Sequence, residues 1–162
     1  MKVEQLMTRT VETCRPTDPL NAAARIMWEK DCGCVPVVTE EEGGARVVGM
    51  LTDRDICMAA YTQGRPLGAI QVASAMSQGV CSCRSTDAIP VALNVLRTNQ
   101  LHRLPVVDAN EHLIGMLSLA DIAREADREH GRKVAEVREA DVAQAIEAIS
   151  RPRSPRAIVH AA

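Results

Sequence analysis

Two short runs, VPVV at 35–38 and LPVV at 104–107, are almost wholly apolar and rich in β-branched residues. That is the pattern of buried strands. VVGML at 47–51 and LIGML at 113–117 follow after turn-forming stretches and are expected to pair with them. Ahead of each hairpin the period becomes helical. Leu20, Ala23, Ala24 and Met27 mark one face of a helix over 20–30, and Ile89, Leu93 and Leu96 mark another over 89–100. Thr17 or Asp18 is expected to cap the first helix, with Pro19 at an early position where its missing N–H does no harm. Short strands are expected at 11–14 and 80–83, and second helices from near Thr52-Asp53 and Ser118-Leu119. Each half therefore reads β-α-β-β-α.

The halves are copies. Met7-Thr8 recurs as Met76-Ser77, Thr13-Cys14-Arg15 as Ser82-Cys83-Arg84, and Thr17-Asp18 as Thr86-Asp87, all 69 positions on. Gly49-Met50-Leu51-Thr52 recurs as Gly115-Met116-Leu117-Ser118, and Asp55-Ile56 as Asp121-Ile122, now 66 positions on. The first copy thus carries three extra residues within TEEEGGAR, whose charge and paired glycines predict a surface hairpin turn. A single copy would leave an apolar sheet face uncovered. Two copies packed about a pseudo-two-fold axis, with two equivalent clefts, are the expected solution.

The expected class is α/β of the α+β type. Unit one covers 1–68, unit two 69–126, a helical extension 127–150, and a disordered basic tail 151–162. Gly131 is expected to divide the extension into two helices. Glu125–Glu129 and Arg124–Arg128 predict a solvated face, while Val134, Val137, Val142, Ala145 and Ile149 predict a stripe that packs on a partner domain or subunit.

Composition narrows the function. A chain of 162 residues can bury a sizeable core. That core must be aliphatic, because Phe is absent and Trp28 and Tyr61 are the only aromatics. Too few aromatics for base stacking and a net charge of -2 argue against nucleic acid and against an anionic membrane. No apolar run approaches the ~20 residues that span a bilayer. MKVEQLMTRT lacks the apolar core of a signal peptide, so a soluble cytoplasmic protein is expected. Cys14, Cys32, Cys34, Cys57, Cys81 and Cys83 read as small hydrophobes rather than disulfides or zinc ligands. No Ser-His-Asp spacing or Gly-rich phosphate loop points to an enzyme.

The strand-Pro-Val-Val runs, GMLTDRDI at 49–56, GMLSLADI at 115–122 and the opening Met-Thr and Met-Ser steps resemble a tandem pair of CBS domains over about 2–126. This arrangement is called a Bateman module. The resemblance implies a stand-alone CBS-domain protein that binds an adenine ligand, with no catalysis of its own. AMP, ADP or ATP is the expected ligand, with NAD(H) or S-adenosylmethionine as further candidates. It also implies a homodimer through the CBS units and control of a protein whose identity is unknown.

Site residues follow from the same resemblance. Thr52-x-x-Asp55 and Ser118-x-x-Asp121 read from the residues alone as capping boxes. In the family the aspartate holds the ribose hydroxyls, a role that suits an acceptor-only carboxylate. Asp55 and Asp121 are therefore the ribose candidates, with Thr52 and Ser118 placed for phosphate. His102 and Arg103 read either as exposed charges paired with Asp108 or Glu111, or as phosphate contacts similar to those of AMP-activated protein kinase gamma subunits. The first copy has Gly33-Cys34 at the aligned positions, so Arg54 is the cation expected there. The resemblance places adenine against Thr10, Val11 and Met116 in the Asp121 cleft, and against Gly79, Val80 and Met50 in the Asp55 cleft. A scaffold or stress-associated dimer with vestigial clefts is the alternative.

Overall fold

The computed structural model describes residues 1–132 and 135–152. In chain order it contains α1 (Leu20–Glu29), β1 (Cys34–Glu41), β2 (Gly44–Thr52), α2 (Asp53–Gln63) and β3 (Cys83–Arg84). These are followed by α3 (Ile89–Asn99), β4 (Arg103–Val107), β5 (Leu113–Ser118), α4 (Leu119–Arg128) and α5 (Glu139–Ile149). β1 and β2 pair antiparallel from Cys34 opposite Thr52, and β4 and β5 repeat that register from Arg103 opposite Ser118. Both hairpins carry a bulge at the same place, between Val37 and Val38 and between Val106 and Val107.

Proline in mid-strand needs a position where no N–H is required. Pro36 faces Met50 and Pro105 faces Met116, and neither methionine uses its main chain on the proline. Met50 instead exchanges hydrogen bonds with Ser77 at 3.2 and 2.8 Å, and Met116 with Thr8 at 2.8 and 2.9 Å. The opening segment of each repeat thus lies on the sheet edge of the other repeat. Gly49 and Gly115 permit the approach. A Cβ at Gly49 would sit 2.7 Å from Met76 Sδ, and one at Gly115 would sit 2.9 Å from the Thr8 carbonyl.

This exchange extends into the cores. Val3 and Met7 are buried with Ile89, Leu96, Leu104, Leu117 and Ile122 of the second repeat. Ile70 and Val72 are buried with Leu20, Val35, Leu51 and Ile56 of the first. Both cores are aliphatic, and Trp28 and Tyr61 lie on the surface at 88% and 81% exposure.

Three local expectations need correction, and the stripe on α5 finds its partner domain within the chain. The strands expected at 11–14 and 80–83 shrink to a bridge from Cys14 to Val37 and the short β3. In the first repeat, Thr8 pairs with β5 and Cys14 with β1, so the residues between them cross from one sheet to the other. Neither Thr17 nor Asp18 caps α1. Asp18 accepts from Arg15 N at 2.7 Å, and the first helical N–H, of Leu20, donates to Ile70 O at 2.9 Å. Glu129 leaves the solvated face and is 4% exposed. Its Oε2 accepts from Glu136 N at 2.7 Å and Val137 N at 2.9 Å, which closes the turn into α5. The apolar stripe on α5 covers the chain's own second repeat: Val137, Val142, Ala145 and Ile149 join that core. Val134 and residues 153–162 of the expected basic tail lie outside the described residues.

Gly131 does divide the extension, with φ at +77° after α4 ends.

Candidate functional site

Each cleft is built where a hairpin's second strand turns into a helix. Thr52 ends β2 and caps α2: its Oγ1 accepts from Asp55 N at 3.2 Å and donates to Asp55 Oδ2 at 2.7 Å. The Thr52 N–H donates to the same Oδ2 at 2.9 Å. Ser118 and Asp121 repeat this at the start of α4, with 3.1 Å for the Asp121 N–H, 2.6 Å for the Ser118 hydroxyl and 2.8 Å for the Ser118 N–H. The capping reading of both motifs therefore holds. It engages one oxygen of each carboxylate and leaves the other directed away from the cap.

The second oxygens differ between the clefts. Asp121 Oδ1 meets the Arg124 guanidinium, an i,i+3 pair that the sequence reading passed over although its spacing was visible. Met58 stands at the aligned position of the first repeat, and Asp55 Oδ1 has no partner among the described residues.

His102 is exposed, and its carbonyl accepts from Leu119 N at 2.9 Å. Arg103 pairs with neither Asp108 nor Glu111. Asp108 accepts from Asn110 N and His112 N at 2.8 and 2.9 Å, and Glu111 meets Arg84 at 3.3 Å. The Arg103 side chain instead crosses to the first repeat, where Nη1 lies 3.4 Å from the point a Gly33 Cβ would occupy. It also lies beside the Cys34 thiol. Burial raises that thiol's pKa, and the guanidinium opposes the rise. Asp53 Oδ2 stands 3.3 Å from the same Gly33 point. Sequence reasoning missed this Gly33, Cys34, Asp53 and Arg103 cluster, because it brings residues of both repeats together.

Arg54 is exposed on the first turn of α2, and its N–H donates to Asp53 Oδ1 at 2.7 Å. The Thr8–Met116 and Ser77–Met50 pairings bring the 8–11 and 77–80 segments to the edges of β5 and β2. Thr10 and Val11 thus follow the Met116 contact, and Gly79 and Val80 follow the Met50 contact. Gly79 has φ at +71°. A cavity of about 310 Å³ between α3 and the 136–144 segment lies away from both capping boxes, whereas one of about 270 Å³ beside Trp28 is bordered by Asp53 and Ile56 at the start of α2.

The family model for the CBS domain matches the chain twice, over 3–61 and 72–128. The chain belongs to the CBS-domain family. Among curated CBS proteins, the CBS domain-containing protein YhcV of Bacillus subtilis is 36% identical over 121 residues, covering 75% of this chain and 82% of that protein. The CBS pair of protein MJ0100, solved in complex with 5-methylthioadenosine and S-adenosyl-L-methionine, superposes with a TM-score of 0.66 at 21% identity. That match covers 76% of this chain and 98% of the other. CBSX2, solved in complex with AMP, gives 0.66 at 23% identity over 78% of this chain and 96% of its own. No helix among the described residues is long and apolar enough to cross a membrane.

Proposed function

We propose that this CBS pair is a non-catalytic sensor that binds an adenosyl ligand in the clefts at Asp55 and Asp121 and thereby controls a protein partner. The observation that carries the reading is the doubled carboxylate, each with one oxygen fixed by its cap; Asp55 Oδ1 is open to vicinal ribose hydroxyls, and Asp121 Oδ1 becomes so when the exposed Arg124 gives way to a ligand. The adenosyl ligands of MJ0100 and CBSX2 support it. Ser118 and Thr52 lie beside helix N-termini, where phosphate oxygens are favoured. In the Asp121 cleft His102 adds a hydrogen-bond donor, and Arg103 adds positive charge once it swings back from Cys34. Adenine packs against Met116 with Thr10 and Val11, and in the other cleft against Met50 with Gly79 and Val80. AMP, ADP or ATP fits the more basic cleft, and the protein acts in the cytoplasm.

A homodimer belongs to the same reading. Trp28, Met58 and Tyr61 expose an apolar face on α1 and α2, whereas α5 covers the matching α3–α4 face of the second repeat. That face also favours the second reading, a dimeric scaffold with vestigial clefts.

Thermal denaturation with AMP, ADP, ATP, NADH and S-adenosylmethionine separates the two. A ligand at 100 times its dissociation constant stabilises the fold by about 2.7 kcal/mol. A rise in Tm of several degrees with one adenine ligand, lost in Asp121→Asn or Asp55→Asn, supports the sensor. Indifference to all of them supports the scaffold.

A further inference from the structure

The cavity of about 310 Å³ between α3 and the start of α5 belongs to neither cleft. Its size falls at the lower end of small-molecule pockets, which run from about 300 to 1,000 Å³. Ile89, Leu93 and Arg97 recur every fourth residue along α3 and so share the face that forms one wall. Val137 and the first turns of α5 form the other. Ile89, Leu93 and Val137 are buried, which gives an aliphatic floor. The rim is charged, and its charges do not cancel. Arg138 holds Asp141 through two hydrogen bonds, at 2.9 and 2.8 Å. Glu136 meets the Met1 ammonium, and Glu139, the next carboxylate along, is taken up by His130 at 2.9 Å. Arg97 is exposed and donates only to the neutral Asn94 Oδ1 at 3.1 Å, with no ion-pair partner among the described residues. The Arg138 hydrogen bonds hold the Asp141 carboxyl below its ordinary range, and the Arg97 charge acts in the same direction. Two guanidiniums thus share one carboxylate, and the rim keeps one positive charge in excess.

We propose that this cavity is a third binding site, for a small amphipathic monocarboxylate of the medium-chain fatty acid class. The alkyl chain lies on Ile89, Leu93 and Val137, and the carboxylate takes the planar fork of Arg97. A single excess charge matches a monoanion. The cavity beside Trp28 is apolar too, but Asp53 on its border repels a carboxylate. Because the ligand touches α3 and α5 together, its binding fixes the extension on the second repeat. The site stands apart from the two clefts and does not depend on the sensor reading.

Titration calorimetry of the full chain with octanoate and with octylamine tests it, read together with hydrogen exchange. Octanoate is expected to bind at one site and to slow exchange in α3 and α5, while octylamine does not bind. Arg97→Gln is expected to weaken octanoate at least tenfold, and Arg97→Lys, which keeps the charge but not the fork, to fall between the two. Arg97 is exposed, so both variants are expected to keep the urea midpoint of wild type. Trp28, the only tryptophan, reports the other cavity, and its emission is expected to stay unchanged. Absence of octanoate binding, equal binding by Arg97→Gln, equal binding of octylamine, or protection confined to α1 and α2 each overturns the assignment.

Discussion

Thr8 and Met116 exchange both of their main-chain hydrogen bonds, at 2.8 and 2.9 Å, although they belong to different repeats. The space for this contact exists because Gly115 carries no side chain. A Cβ there would lie 2.9 Å from the Thr8 carbonyl and 3.0 Å from Met7 Sδ. Gly115→Ala is expected to destabilise the protein by about 1–3 kcal/mol, as overpacking of a close contact does. Gly68→Ala, whose added Cβ meets only Asn21 at 3.6 Å and beyond, is the control and is expected to leave the urea midpoint almost unchanged.

Asp121 has two duties that substitution can separate. Its Oδ2 receives the Ser118 N–H and hydroxyl, and the carboxylate charge serves the proposed ribose contact. Asp121→Asn keeps an acceptor for the cap, so stability is expected to hold while adenosyl affinity falls tenfold or more. Charge-assisted hydrogen bonds are about twice as strong as neutral ones. Asp121→Ala is expected to lose the same affinity and about 0.5–1.5 kcal/mol of stability besides. Parallel titration calorimetry and urea unfolding show both effects.

Removing the Glu129 carboxylate leaves the Glu136 and Val137 N–H groups without their acceptor, and the Val137 bond is buried. Glu129→Ala is expected to cost about 1–3 kcal/mol. Hydrogen exchange is expected to accelerate first in α5, whose entry that side chain holds, and later in β4 and β5.

Burial pushes the Cys14 and Cys83 thiols up to about 12, with nearby Asp18 and Asp87 adding to the rise. The unfolded chain releases these protons near the ordinary value of 9.0, so between there and about 12 it binds fewer protons than the folded chain. The contribution is therefore complete below pH 9.0 and is lost as pH rises toward 12. Urea midpoints across that window are expected to fall less steeply for Cys83→Ala than for wild type. Thiol reagents on the native protein are expected to modify exposed Cys57 first, and Cys14 and Cys83 only after unfolding.

The hairpins, the helices and the capping boxes were legible because each follows from neighbours in sequence. Short apolar runs and helical periods mark the elements, and Ser-x-x-Asp marks the turn into α4. What escaped depends on partners far along the chain. Nothing local to 11–14 shows that its neighbours are claimed by another sheet, and Asp18 resembles a cap until Ile70 supplies the acceptor for Leu20 N–H. Arg103 was recognised as a phosphate candidate, but its reach to Gly33 depends on how the repeats meet. Glu129 looked solvated because helical spacing cannot reveal a carboxylate folded under a following turn.

The crossed opening segments have a consequence for the history of such a chain. A single copy would present a core lacking Ile70 and Val72, or Val3 and Met7, and a sheet edge with no strand beside it. Two separate copies could each supply the other's missing piece, so a pair of identical chains could have worked before duplication joined them. Fusion would then have preserved an obligatory partnership and freed the two halves to diverge. Arg103 on one side and Gly33 with Asp53 on the other are where that freedom is visible.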